Sequence, residues 1–143
     1  NDPLTREPYA EGSTKTHFRK TNAEGRAYRE RVVNGKTYTY FADEGKAVGS
    51  VWTDIPSMAA NSPIAGESTG YPTQKPERLL ERIIVGASKT GAVVADLMCG
   101  SGTTLVVAAR LGRSFVGSDI GKAAFDCANE RLINAGVEFS AFQ

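Results

Sequence analysis

The sequence predicts an α/β domain with an open, mostly parallel sheet, preceded by an irregular region that contains a β-hairpin. Apolar runs over residues 92–97 and 114–118 each lead into an acidic residue, and a helical pattern lies between them. Strands that alternate with helices are typical of parallel sheets. Asn34-Gly35 between β-forming residues predicts the hairpin, with a type I′ turn.

The irregular region is predicted to span residues 1–70, with the hairpin near residues 31–41. Between residues 15 and 36, seven Lys or Arg accompany only two Glu, a local excess of five positive charges. Aromatic residues are interleaved with these cations, which suits contact with DNA phosphates, but a solvated loop and hairpin explains the pattern equally well. The aromatic residues are Phe18, Tyr28 and Tyr38, and the single His17 in the same stretch is expected at the surface.

The predicted α/β region spans residues 71–143 and begins with a helix from Pro76, in which Leu79, Leu80, Ile83 and Ile84 recur at helical spacing. Three further elements are predicted after this helix. They are a strand at about 92–97, a helix at 103–110 stopped by Gly112, and a strand at about 114–118.

The last predicted helix covers roughly residues 122–135 and is closed by Gly136. Its inward side is expected to carry Phe125, Ala128, Leu132 and Ile133. Residues 137–142 are predicted as a third strand, which gives a sheet of about three parallel strands in the order 3-2-1. Right-handed crossovers would place helices on both faces of that sheet.

The composition is that of an ordinary globular chain. The 143 residues are 41% hydrophobic and 23% charged, enough for one buried core. The net charge of +1 gives no global field that would indicate a nucleic-acid partner. No apolar run reaches the ~18 residues of a membrane span and no signal peptide is evident, so we expect a cytoplasmic protein without a membrane partner.

A glycine turn gives the strongest indication of a binding site. The strand at 92–97 leads into Gly100-Ser-Gly102, and Asp119 follows Asp96 after 23 positions, at the end of the next strand. An acid at this distance accepts hydrogen bonds from ribose hydroxyls in nucleotide-binding sheets. The alternatives are a plain strand-to-helix turn for the glycines and a helix N-cap for Asp119.

The ligand predicted from this turn is a ribose compound without phosphates. Leu105 stands where a dinucleotide-binding loop needs its third glycine, and the turn lacks the lysine of a phosphate-binding loop. S-adenosylmethionine (SAM) fits, because its positive charges suit an acidic residue such as Asp96. Cys99 and Cys127 form no metal-binding pattern and do not indicate a disulfide scaffold, and Cys99 is expected to be a small packed side chain.

Three stretches carry a resemblance to a known family. Residues 96–104, Asp-Leu-Met-Cys-Gly-Ser-Gly-Thr-Thr, resemble motif I of the DNA amino-methyltransferases, which methylate adenine N6 or cytosine N4. Residues 70–84, with Thr-Gln-Lys-Pro, resemble motif X, and residues 111–119 resemble motif II. Motif X directly before motif I, with a target-recognition region ahead of both, is similar to the β-class arrangement. The resemblance therefore implies that residues 1–70 are a target-recognition-like region.

The resemblance implies part of a Rossmann-like, SAM-dependent methyltransferase fold, with SAM as cofactor and double-stranded DNA as partner. It implies DNA methylation of the restriction-modification kind. The family has an aromatic residue where this chain has Met98, and Lys75 has an ordinary solvated lysine as its alternative interpretation. The residues expected at the cofactor are Thr73, Lys75, Asp96, Met98, Gly100, Ser101, Gly102, Thr103 and Asp119.

The catalytic motif of that family, Asp/Asn/Ser-Pro-Pro-aromatic, has no counterpart in the sequence. The chain has six prolines and no two are adjacent. The chain is therefore expected to be the SAM-binding portion of such an enzyme, inactive alone, with no catalytic and no metal-binding residues of its own. A homodimer or a complementing N-terminal half would cover the exposed sheet edge, and a non-catalytic SAM- or DNA-binding module is the alternative function.

Overall fold

The structure is a computed structural model that describes residues 6–9 and 12–142, apart from the side chain of Ser13. The chain divides into two compact units, Asn1–Val51 and Trp52–Gln143. Within the described residues, no helix combines the length and the apolar character that crossing a membrane requires.

The first unit is built from short antiparallel strands. β2 (Lys20–Thr21), β3 (Ala27–Val33) and β4 (Lys36–Phe41) form one sheet in that order. β1 (Arg6–Glu7) pairs with β5 (Lys46–Ala47), and α1 (Ser13–His17) is a single helical segment between β1 and β2.

The β3–β4 hairpin turns at Asn34 and Gly35, whose φ angles are 50° and 75°. Positive φ at both central residues is the requirement of a type I′ turn, and asparagine and glycine meet it at the lowest steric cost. The turn fixes the register, in which Val33 lies opposite Lys36 and Arg31 lies opposite Tyr38. The local sequence therefore determines both the turn and the pairing of the strands.

The second unit has a two-stranded parallel sheet covered by helices. β6 (Val93–Asp96) and β7 (Ser114–Gly117) pair from Val93 opposite Ser114 to Asp96 opposite Gly117. The helices are α2 (Glu77–Ala87), α3 (Thr103–Arg110) and α4 (Lys122–Asn134). This arrangement confirms the α/β class and a partial Rossmann-like fold.

The core of the second unit forms around α3. Val107 and Ala108 are fully buried against Ile84 of α2, and Val94 and Phe115 of the two strands pack against the same cluster. A second cluster joins α3 to Leu132 of α4 and again to Phe115, through Leu105 and Val106. All three helices therefore pack on one side of the sheet.

The expectation of helices on both faces of the sheet is wrong for the described residues. Val94 and Phe115 point toward the helices, whereas Val93 and Val116 point the other way and are 66% and 53% exposed. The reason is that α2 and α4 both pack against α3 on the same side of the sheet, so none of the three helices is left to cover the opposite face.

The expected third strand is also absent, because residues 137–142 have no regular structure. After Gly136, at φ 67°, Val137 and Phe139 pack against the cluster that contains Leu132. Their apolar side chains are thus partly buried on the helices instead of extending the sheet beyond β7. The described sheet has two strands, not about three.

The inward side of α4 is also different from the expected one. Ala124, Ala128 and Leu132 are buried at four-residue spacing, but Ile133 is 66% exposed. Arg131 is buried in its place, with 9% exposed. The buried stripe of α4 therefore includes a charged residue that apolar periodicity does not detect.

Candidate functional site

The candidate site lies at the carboxyl end of the parallel strand pair, where open α/β sheets bind their ligands. Asp96 ends β6, and Asp119 follows two residues after the end of β7. Backbone hydrogen bonds join the two loops that leave these strands: the Cys99 N–H donates to the Ser118 carbonyl oxygen at 2.9 Å. The sheet register therefore brings the motif I turn and Asp119 together.

The glycine turn needs its glycines for two different reasons. Gly102, at φ 72°, approaches α4 so closely that a Cβ atom there would lie 2.8 Å from the Ala128 Cβ. Gly100, at φ 50°, lies under the ring of Tyr71, whose Cε1 atom would be 3.2 Å from an added Cβ. Gly102 thus lets the turn pack against the helix, and Gly100 lets it pack closely beneath Tyr71.

Asp119 is held by backbone N–H groups on both sides. Its Oδ2 accepts a hydrogen bond from the Gly100 N–H at 2.9 Å, and its Oδ1 accepts one from the Gly121 N–H at 2.9 Å. The N–H groups of Gly121 and Gly100 hold the pKa of Asp119 below its usual range. The carboxylate is therefore ionised, oriented and still able to accept further hydrogen bonds.

Asp96 is oriented by the turn that follows it. Its Oδ2 accepts a hydrogen bond from the Thr104 hydroxyl at 2.6 Å, and its Oδ1 accepts one from the Met98 N–H at 3.3 Å. Met98 itself is 86% exposed. The glycine turn thus has two oriented carboxylates beside it, Asp119 at the Gly100 N–H and Asp96 between Met98 and Thr104.

Ser101 and Thr103 are buried, with 4% exposed, and their hydroxyl groups bond to each other at 3.1 Å. Arg131 of α4 donates to Thr103 Oγ1 at 2.8 Å, and this hydroxyl also lies 3.4 Å from the Lys75 carbonyl oxygen. These contacts join the start of α3 to α4 and to the segment before α2. The two hydroxyl groups therefore stabilise the shape of the turn.

The buried guanidinium of Arg131 also pairs with Glu77, with its Nη2 atom 2.7 Å from Glu77 Oε1. Arg110 binds the other oxygen of Glu77 at 2.6 Å. Burial raises the pKa of Glu77, but the hydrogen bonds from Arg131 and Arg110 outweigh it and the net pKa is lowered. Glu77 is therefore ionised and completes the charge pairing of Arg131.

Gln74 organises the motif X segment. Its side chain is buried, accepts hydrogen bonds from the N–H and hydroxyl of Thr69 at 2.8 and 2.7 Å, and donates to the Glu67 carbonyl oxygen at 2.6 Å. These bonds fix the segment on both sides of Thr73 and Lys75. Both of these residues are exposed, and the Lys75 ammonium donates to the Thr73 carbonyl oxygen at 2.7 Å.

Two cavities lie beside the turn. The smaller, about 200 Å³, is lined by seven of the nine residues expected at the cofactor: Thr73, Lys75, Asp96, Met98, Gly100, Ser101 and Thr103. The larger, about 360 Å³, is lined by Asp119 together with apolar side chains that include Phe115, Val116 and Phe125. Gly102, packed on α4, lines neither cavity.

Cys99 lines both cavities. Burial and the nearby carboxylates of Asp119 and Asp96 raise the pKa of its thiol. The thiol is therefore protonated at neutral pH, as suits a packed side chain and not a nucleophile. Within the part of the chain that the structure describes, no group of His, Cys, Asp and Glu has the arrangement of a metal site.

Several residues at this site were missed by the sequence analysis. Tyr71 covers Gly100, and Gln74 and Arg131 fix the two segments that frame the smaller cavity. Phe139 and Phe142 line the larger cavity from the segment expected to be a strand. The available signal was the motif X stretch for Tyr71 and Gln74, but only three-dimensional packing identifies the other three.

Comparison with known proteins identifies the family of the chain. A family model described as DNA methylase matches residues 4–130. The chain is 46% identical over 90 residues to the Type II methyltransferase M2.DpnII of Streptococcus pneumoniae, covering 63% of this chain and 32% of that protein. It is 42% identical over 97 residues to M2.LlaDCHI of Lactococcus lactis subsp. cremoris, covering 68% and 34%.

A solved structure of an M1.HpyAVI–SAM complex is 39% identical, with a TM-score of 0.45, and the match covers 46% of this chain and 32% of that one. The matched part of the chain thus spans about a third of the length of these relatives. Because the family model covers most of the sequence, the chain belongs to the DNA methylase family, that of the N6 and N4 amino-methyltransferases.

Proposed function

We propose that this chain is the SAM-binding portion of a DNA methyltransferase that acts on adenine N6 or cytosine N4. The observation that carries the proposal is the position of Asp119. Its oriented carboxylate bonds to the Gly100 N–H between two cavities, at the carboxyl end of a parallel strand pair. This is where a ribose would be bound in such a sheet.

The chemistry of the site fits SAM. Asp119 has the acceptor oxygens that ribose hydroxyls need, and the apolar lining of the larger cavity suits an adenine ring. The smaller cavity contains the carboxylate of Asp96, which suits the positive charges of the methionine part, and Lys75, which suits its carboxylate. When bound, SAM supplies an electrophilic methyl group.

The residues of the chain bind and orient the cofactor in this proposal. Asp119 binds the ribose, Asp96 and the turn from Gly100 to Gly102 surround the methionine part, and Met98 packs on it. Ser101 and Thr103 hold the turn in shape through their buried hydroxyl groups. Thr73 and Lys75 lie at the carboxylate end of the cofactor.

We further propose that methyl transfer needs a second polypeptide segment. Methylating a base amine requires a flipped base held by hydrogen-bond acceptors and an aromatic surface, and the sequence has no Pro-Pro pair to supply them. Val93 and Val116 leave an apolar sheet face exposed, next to an edge of β6 that is unpaired within the described residues. A complementing N-terminal half would cover this face, and a homodimer is the alternative.

The lack of the catalytic motif also favours a second candidate function, a SAM- or DNA-binding module without catalysis. Supplying the N-terminal half of a family relative in trans distinguishes the two. Recovered methylation of duplex DNA would support the split enzyme. Failure to methylate, with SAM still bound, would support the module.

The first test is calorimetric titration with S-adenosylhomocysteine. We expect saturable binding to the chain, its loss in Asp119→Ala, and no binding of NAD. The matched control is Asp126→Ala, which removes an exposed carboxylate of α4 that pairs with Lys122 and lines neither cavity. If the chain is folded and does not bind S-adenosylhomocysteine, the proposed function is wrong. If Asp119→Ala and Asp126→Ala bind it equally well, the assignment of Asp119 is wrong.

A further inference from the structure

The register of the β3–β4 hairpin separates its side chains onto two faces. Residues directly opposite each other share a face, and residues two apart along a strand share a face. Arg29 lies opposite Tyr40, Arg31 opposite Tyr38, and Val33 opposite Lys36. We call these six residues, with Ala27, the cationic face.

The cationic face has three positive charges and no Asp or Glu. The acidic residue of the hairpin, Glu30, lies on the opposite face and pairs there with Lys20. In the part of the chain that is described, neither Arg31 nor Lys36 has an ion-pair partner, whereas Arg26 of the same unit has two and Lys46 has one. Among the described residues, no carboxylate forms an ion pair that would offset the repulsion between the like charges on this face.

Aromatic rings support these cations. The Lys36 ammonium lies 5.4 Å from the centre of the Tyr38 ring, and the Arg29 guanidinium lies 5.4 Å from that of Tyr40. Arg29 is held at the inner end of the face by Tyr9 and Phe18, at 5.7 and 5.2 Å. These cation–π contacts restrict the cations without neutralising their charge.

The outer part of the hairpin is open to solvent. Residues 31–39 are exposed on both faces, and Tyr38 is 41% exposed although it is aromatic. An exposed two-stranded ribbon with aromatic residues and unneutralised cations on one face has the shape and charge of a surface that binds a polyanion.

We propose that the cationic face of the β3–β4 hairpin is the surface through which the protein contacts duplex DNA. The inference rests on the proposed function. The major groove, ~12 Å wide, admits a two-stranded ribbon and is lined by phosphates on both sides. Arg31 and Lys36 contact phosphates, Arg29 extends the positive charge inward, and the opposite face remains in solvent.

The test is DNA binding by the 143-residue chain, measured by fluorescence anisotropy with a duplex of about 20 base pairs at several salt concentrations. The variant is the double substitution Arg31→Gln/Lys36→Gln. The matched control is Lys20→Gln/Lys46→Gln, which removes the same charge from two lysines that already pair with Glu30 and Glu7. All four positions are exposed, so the fold is expected to survive, which circular dichroism checks.

We expect the Arg31→Gln/Lys36→Gln variant to lose at least about tenfold in affinity at 0.1 M salt, and its slope of log affinity against log salt to fall in magnitude by about 2. The control should lose less than about threefold. Equal losses in the two variants, or no DNA binding by the unsubstituted chain at low salt, would overturn the proposal. So would preferential binding of poly-glutamate, which would indicate an acidic protein partner.

Titration of the same samples with S-adenosylhomocysteine separates this proposal from the one on which it rests. The chain could bind S-adenosylhomocysteine while the Arg31→Gln/Lys36→Gln variant binds DNA normally. In that case the cationic face is not the DNA-binding surface, and the proposed function stands. If S-adenosylhomocysteine does not bind, the proposed function fails, and DNA binding alone then decides the role of the hairpin.

Discussion

Among the described residues of the first unit, Phe18 is the only buried apolar side chain, whereas the second unit buries eight. The first unit is held by exposed ion pairs and by cations against rings, such as Arg26 over Phe41 at 4.0 Å. The second is held by contacts so close that Gly117 has no room for a Cβ beside Leu105. Polar contacts at a surface weaken with salt and tolerate substitution, and packed contacts do neither.

The largest difference between the units is expected for glycine substitutions. Gly102→Ala imposes a strained left-handed backbone, costing about 1–2 kcal/mol, and a clash with Ala128, costing about 1–3 kcal/mol more. Gly25→Ala in the first unit has a similar φ of 80° and nothing within 4 Å, so only the strain applies. Urea unfolding of each variant, monitored by circular dichroism, measures the loss.

A second glycine of the same unit distinguishes the effect of the clash with Ala128 from the effect of lying in the second unit. Gly136→Ala lies in the same unit as Gly102, at φ 67°, with open space around its Cβ position. It should resemble Gly25→Ala. If Gly102→Ala were no more harmful than these two, the close approach of the turn to α4 would contribute nothing to stability.

The next largest loss of stability is expected when a buried charged side chain is replaced. Arg131→Met removes the bonds to Thr103 and Glu77 and should cost about 2 kcal/mol, less than for a fully buried pair because Arg110 still binds Glu77. Arg110→Met, 49% exposed at its side chain, should cost below about 1 kcal/mol. Unfolding followed by the fluorescence of Trp52, the one tryptophan, reports on this unit.

The counterpart in the first unit is Arg26→Met, which removes exposed bonds to Asp43 and Glu44. Of the three arginine substitutions, Arg26→Met should destabilise the protein least. Hydrogen exchange of the backbone amides of β3 and β4 measures its effect. An effect as large as that of Arg131→Met would mean that surface charge stabilises the first unit as strongly as buried charge stabilises the second.

The smallest effect concerns two carboxyl groups. Both Asp43 and Asp119 have a pKa below the ordinary value of 3.8, Asp43 through its hydrogen bond from Arg26 and Asp119 through the N–H groups of Gly121 and Gly100. Each therefore adds stability above about pH 4 that is lost as the pH falls through the lowered pKa. Salt at about 1 M should raise the pKa of Asp43 toward 3.8 and leave that of Asp119 low.

Titration of the two carboxyl groups by NMR at low and high salt measures this difference. Backbone hydrogen bonds are short-range and are not screened, whereas the attraction of an exposed guanidinium is. A parallel rise of both pKa values would show that Asp119 depends on distant charge and not on the glycine turn.

Local signals in the sequence predict much of this fold. Asn34-Gly35 predicts a turn that only residues tolerant of positive φ can form, and the apolar run ending at Asp96 predicts β6. The predicted third strand does not form, because Val137 and Phe139 pack on the helices instead of pairing with β7. Tertiary packing overrides strand propensity in such short apolar runs.

The polar framework of the candidate site is the part that sequence patterns do not predict. Arg131 and Gln74 belong to residue types that are mostly exposed, so their residue type does not indicate that they are buried, although Gln74 lies in the motif X stretch. Their partners, Thr103 and Thr69, are 28 and 5 residues away. Arg131 becomes recognisable only when α4 packs beside α3, since the fold and not the motif supplies its partner.

The position of Cys99 between the two cavities makes it a natural reporter of their occupancy. A thiol reagent that reaches Cys99 occupies the space that a cofactor would fill, so a bound ligand should slow its alkylation. Its raised pKa means that the reaction needs alkaline conditions. Cys127, on α4 and bonded to the Thr69 hydroxyl, lines neither cavity and provides an internal reference in the same labelling experiment.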